Sequence, residues 1–142
     1  MVDIKSDIYQ LLTNAGLHCM TEFPLECLPR LQSPMVTVGV KETETRPAAI
    51  ANYLGTNSGQ EACIGFLTST TIVLDAYSPY KSGGNECYGT IMAALRVLLA
   101  GVTGQTLRKV RMNNVHFDAD SDCYRCSALL TFEALNFQTL SV

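Results

Sequence analysis

Tryptophan is absent from this chain of 142 residues, histidine occurs twice, proline five times, and Asp, Glu, Lys and Arg together make up only 16%. The shortage of charge excludes most. A soluble domain usually carries about 25% charged residues, so a chain that is 47% apolar is expected to cover part of its surface with partners. Ten basic against thirteen acidic residues give a net charge of −3 and a pI near 5.3, which argues against holding nucleic acid by phosphate neutralisation on a basic face. No apolar run approaches the ~20 residues of a membrane span. The opening MVDIKSDIYQLL mixes acidic with apolar residues, so neither a signal peptide nor an anchor is expected. Cys19, Cys27, Cys63, Cys87, Cys123 and Cys126 are then expected to be reduced thiols, most of them acting as small core hydrophobes.

Recognisable catalytic patterns are missing as well. Asp118, Asp120 and Asp122 begin like a calcium loop, but Cys123 stands where an EF-hand needs glycine and Leu129 where it needs a bidentate glutamate. An exposed acidic hairpin turn is the better reading, with weak cation binding as the lesser alternative. Cys123 and Cys126 form C-x-x-C at the start of a strand, where residues three apart point to opposite faces, so a dithiol is disfavoured. No second C-x-x-C or paired histidine completes a zinc site. His18 and His116, each read as lying on a strand, have no nucleophile signature beside them. SGGN and GVTG lack the spacing of a phosphate cradle. Catalytic, metal and cofactor-binding residues are therefore all expected to be none, and the protein is read as a non-enzyme.

What is present is regular structure. Residues 3–15 have apolar positions at helical spacing, Asp3 or Ser6 as cap and Gly16 as a left-handed stop. LHCMTEFP reads as a short strand ended by Pro24, and residues 25–34 as an irregular crossing segment. In residues 35–43, Val36, Val38 and Val40 alternate with Thr37, Gly39 and Lys41, as in a strand with one inward face. Residues 43–60 read as an exposed excursion with a strand-like centre at 50–54. ACIGFLTSTTIVLDAYSP follows as one long strand of about 16 residues that should bend or protrude past the core, with Gly65 or Thr68–Thr71 as the bend. Asn85 to Ala100 is a nearly uncharged helix whose stripe of Cys87, Ile91, Ala94, Leu95 and Leu98 should lie on the sheet, leaving Tyr88, Met92 and Leu99 on another flank. Residues 106–117 and 124–137 form a terminal hairpin, with Tyr124, Cys126, Ala128, Leu130, Phe132 and Ala134 on one face. The expectation is a single α+β domain over residues 1–142, with a mostly antiparallel sheet packed against two helices and ending in a β-hairpin.

The order and length of these elements resemble the tail terminator and tail-completion (head-tail joining) proteins of tailed phages. DIYQLLTNAG, MVTVGVKETE, DAYSPYKSGGNECYGTIMAAL and VHFDADSDCYRCSALLTFEA carry the resemblance. It implies a tail-terminator-like fold and a ring, usually a hexamer, that caps the tail tube and ends its polymerisation. The implied partners are further copies of the chain, the tail tube protein, and the sheath and head-tail connector; DNA passes through without specific binding, and no membrane is involved. The implied location is a virion tail or a tail-like particle made in the bacterial cytoplasm. Arg46, Tyr53, Tyr80, Lys81, Tyr88 and Met92 are the candidates for subunit and tube contacts, since Arg and Tyr are favoured at interface centres. The rival readings are another tail subunit of tube or baseplate, and a small-ligand-binding domain with a pocket lined by Phe66, Tyr88 and Phe132.

Overall fold

The computed structural model describes residues 3–21, 33–47, 53–56, 59, 62–119 and 122–140. They form an α+β fold with helices α1 (Ile4–Asn14) and α2 (Gly84–Leu99) and seven strands: β1 (Cys19–Met20), β2 (Met35–Pro47), β3 (Tyr53–Thr56), β4 (Ala62–Pro79), β5 (Thr106–Met112), β6 (His116–Asp118) and β7 (Cys123–Leu140). The sheet runs β1-β2-β4-β7-β5, with β3 on β4 and β6 on β7. Only β1 pairs in parallel, with β2; every other pairing is antiparallel. The terminal hairpin is thus β6 with the start of β7, and β5 extends it along the same strand.

One face of the sheet beds both helices. Val36, Val38, Ile72, Leu74, Ala76, Cys126, Ala128, Leu130 and Phe132 meet Ile4, Ile8 and Leu12 of α1 and Cys87, Ile91, Ala94, Leu95 and Leu98 of α2 in one buried cluster. The predicted α2 stripe is the buried one, residue for residue. Each Val, Leu, Ile or Phe side chain among them contributes roughly 1.5–3 kcal/mol when fully buried. At the start of α1, Asp3 accepts the Lys5 amide and the Ser6 hydroxyl. At its end Gly16, at φ +87°, lets the Leu17 amide reach Leu12 O at 3.1 Å.

The sheet is much longer than the helices that cover it. Eighteen residues of β4 span about 59 Å at 3.3 Å each, whereas sixteen residues of α2 span about 24 Å. β4 and β7 pair in unbroken register from Ala62↔Leu140 to Pro79↔Cys123. Burial on the helix side stops at Thr70 and Phe132, and the remaining length of β2, β4 and β7 projects as an overhang.

Several boundaries differ from the sequence reading. Residues 43–47 are not an excursion; they continue β2, pairing Thr43↔Thr70 through Pro47↔Phe66. β4 itself keeps its register with β7 through Gly65 and 68–71, and the shifts along its other edge lie in its partners, between Val40 and Glu42 of β2 and between Tyr53 and Gly55 of β3. The extra residue in β2 inverts the alternation. Beyond it Thr43, Thr45 and Pro47 share the helix side with Thr70, Thr68 and Phe66, and Glu42, Glu44 and Arg46 turn to the other side. Val40, the last residue before the shift, is 46% exposed although Val36 and Val38 on the same face are buried. Residues 53–54 of the strand-like centre lie in β3, and residues 50–52 lie outside the described residues. Cys27 and Pro24 lie outside them too. His18 sits just before β1 rather than within it.

Candidate assembly surfaces

Two exposed regions at opposite ends of the long sheet collect the candidate contact residues. The first is built where β4 ends. Pro79 closes the strand, a single 3₁₀ turn spans Tyr80–Ser82, and Gly83 at φ +78° starts α2. Gly83, rather than the expected Asn85, occupies the cap position. Ser78, fully buried, donates its hydroxyl to Gly83 O at 3.0 Å and ties the turn to the strand. The helix then passes close to the sheet: a Cβ on Gly84 would stand 3.1 Å from Val115 Cγ1 and 3.6 Å from Tyr124 Cδ1.

This close approach gathers three rings. Tyr80 stacks on Tyr124 with centroids 6.2 Å apart, and Phe117 meets both edge-on at 5.7 Å. Tyr80 remains 63% exposed and Phe117 44%. Lys81 beside Tyr80 is exposed, and so is Tyr88, one turn into α2. Tyr80, Lys81 and Tyr88 therefore belong to one end of the molecule. The residues that sequence reasoning missed there are Phe117 and Tyr124, whose approach to Tyr80 depends on β6 pairing Phe117↔Tyr124.

The acidic turn divides. Asp122 is exposed at φ +52°, a left-handed conformation that Asp tolerates better than most residues. Asp120 lies outside the described residues. Asp118 is not a solvated turn residue, since it faces the Arg125 guanidinium at 3.9 Å. Arg125 also pairs with Asp75 at 3.2 Å and lies over the Tyr77 ring, 5.6 Å from its centroid. Ser127 donates to the same Asp75 oxygen. Burial lowers the Arg125 pKa, but Asp75 and the rest of this cluster outweigh it and leave it raised. Burial pushes the Tyr77 phenol up to about 12, with help from the Asp75 charge. Tyr77 and Ser78 are buried, so the exposed part of the turn into α2 begins only after them.

Arg46 lies at the other end, on the side of the sheet away from the helices. It pairs with Glu133 of β7 at 3.0 Å, and Glu133 pairs in turn with Arg108 of β5 at 3.1 Å. One half-buried carboxylate thus joins β2 to β5 across β4 and β7. Tyr53 is placed only by its backbone pairing with Ile64; its side chain lies outside the described part of the structure. Met92 packs partly against the core and is a poorer surface candidate than Tyr88.

The described cysteines are buried. Cys126 belongs to the helix-side cluster, whereas Cys123 packs with Met35 and Tyr77 on the opposite side, so C-x-x-C divides between faces. Burial pushes the thiols of Cys19 and Cys87 up to about 11. No group of three His, Cys, Asp or Glu placed to hold a metal is found among the described residues, and none of their helices is long and apolar enough to cross a membrane. Phe66, Tyr88 and Phe132 do not line one cavity. Phe132 is sealed in the core, Phe66 pairs with Asn136, and Tyr88 lies near the Tyr124 end of β7, on the order of 40 Å from Asn136 along the strand. No protein-family model matches the chain and no curated protein matches it, so the surfaces themselves carry the functional reading.

Proposed function

We propose that the chain is the subunit of a closed, homohexameric ring that caps the tube of a phage tail or phage-tail-like particle, ends tube polymerisation and offers its other rim to the head-tail connector. The uncovered overhang of the sheet is the observation that carries this reading. Burial on the helix side stops at Thr70 and Phe132, so β2, β4 and β7 run on past the helices with that face uncovered. A ring subunit needs two such contact faces. With 16% charged residues, this surface suits burial better than solvation. The Tyr80–Phe117–Tyr124 cluster supplies an aromatic anchor of the kind found at interface centres, set at one end of the sheet where an unlike partner such as tube protein would meet it. The work is done by assembly, with no catalytic step and no cofactor.

Sedimentation over a concentration series tests this. The expected result is a discrete species of roughly six times 15.5 kDa that binds tube ends. An open polymer would point instead to a tube subunit, and a persistent monomer without affinity for tube protein would overturn the assembly reading.

A further inference from the structure

Resting on the ring reading, we infer that the helix side of the sheet overhang is the seat for α2 of the next copy, so that each α2 lies between its own sheet and its neighbour's.

Charge segregation is the first argument. On the helix side the overhang presents Thr43, Thr45, Phe66, Thr68, Ala134 and Asn136, none of them ionisable. On the reverse side the same strands carry Glu42, Glu44, Arg46 and Glu133. Lack of charge on one side only marks a surface meant for burial, because interface centres are depleted of charged residues. Asn136 even directs its side-chain amide to the Thr68 hydroxyl at 2.8 Å, so two polar groups on this face already satisfy each other.

Continuity and size identify the occupant. The overhang prolongs, without a break in the β4–β7 register, the same face that beds α1 and α2 nearer the centre. Its length over Ala62–Ser69 is about 26 Å, close to the ~24 Å of a helix of sixteen residues such as α2. The chain's own α2 is held elsewhere by Cys87, Ile91, Ala94, Leu95 and Leu98. One flank of it carries Tyr88 and Leu99, with the partly buried Met92 between them, spaced i, i+11 and i+4 and hence along one line of the helix. Tyr88 is 52% exposed and Leu99 64%; Arg96, one turn from both Met92 and Leu99, borders the stripe as its one charge, and Glu86 lies away from it. Stripe and overhang are different surfaces of one molecule, so their contact is heterologous, the type that generates a ring when its rotation closes.

Two variants, each at an exposed position, test the pairing: Thr45→Glu on the overhang and Leu99→Glu on the stripe. Each alone is expected to shift the sedimenting mass from ring to monomer with unchanged circular dichroism. Mixed in equal amounts, they are expected to form a dimer and stop there, because one intact stripe meets one intact overhang while both remaining surfaces are blocked. Single variants that still form rings overturn the inference. So does a mixture that stays monomeric while the unaltered chain forms rings, which would leave the ring reading standing with other contacts. If Thr45→Glu forms rings but no longer binds tube protein, the overhang belongs to that partner and the inference fails. A monomeric unaltered chain overturns the ring reading and this contact together.

Discussion

Cys87 lies fully buried under α2 with its Sγ donating to Ala76 O at 3.2 Å, and this placement gives the thiol a measurable part in stability. A buried group that carries no charge while protonated resists ionisation, and burial raises Cys19 and Cys87 to about 11 and Tyr77 to about 12. Their ordinary values are 9.0 for the thiols and 10.0 for the phenol. Above about pH 9 the unfolded chain therefore loses these protons before the folded one does, and stability falls as pH rises toward about pH 12. Below about pH 9 the contribution is fully present. Urea midpoints measured across this range should decline, and Cys87→Ala should flatten part of the decline; a slope unchanged by that substitution would remove Cys87 from the account. The burial of these thiols was legible from composition alone, because a lone cysteine among apolar neighbours packs as a small hydrophobe. Tyr77 was not legible in the same way. Only its pairing with Arg125 across β4 and β7 takes it inside.

At the scale of elements, two ion-pair clusters on the side away from the helices differ in what they should contribute. Glu133 is shared by Arg46 and Arg108, whose side chains are 55% and 61% exposed, so screening leaves each pair worth about 0–1 kcal/mol. Asp75 is about as enclosed as Glu133, but its partner Arg125 is less exposed, at 36%, and it serves both Arg125 and the Ser127 hydroxyl. Removing it leaves two part-buried donors without that acceptor, at a cost of about 1–3 kcal/mol. Glu133→Ala should therefore lower unfolding free energy by less than about 1 kcal/mol and Asp75→Ala by more; the reverse order would contradict this assignment. Neither cluster could be read from the sequence, since Arg46 and Glu133 are brought together only by the β2–β4–β7 order and by the inverted alternation of β2 after Val40. The α2 stripe, by contrast, was legible to the residue, because helical periodicity is local and needs no knowledge of partner strands. The α2 cap was missed for a related reason: Asn85 is the better capping residue by type, but Gly83 supplies the positive φ that the turn after Tyr80–Ser82 adopts.

For the whole molecule, the central feature is a sheet about 59 Å long with helices over only part of one face. Along β4 the backbone ladder is continuous from Ala62 to Pro79, but the fully buried helix-side residues Ile72, Leu74 and Ala76 occupy only the half nearer α2. Hydrogen bonding alone gives little net stability per bond, so the overhang is held mainly by its ladder and by pairs such as Asn136–Thr68 and Arg46–Glu133. Stability should then be uneven along the same strands, as local opening follows buried apolar contact rather than strand membership. In the free chain, amides of residues 66–69 and 133–136 should exchange with solvent faster than those of 72–76 and 126–130, even though each set belongs to β4 and β7. Hydrogen exchange followed by mass spectrometry reads this directly. If the overhang is seated on a neighbour's helix, assembly should bring its exchange close to that of the central half, while the already protected central half changes little. Uniformly slow exchange along both strands of the free chain would mean that the overhang is stabilised without a partner, and its helix side would then lose its claim to be an unfilled interface.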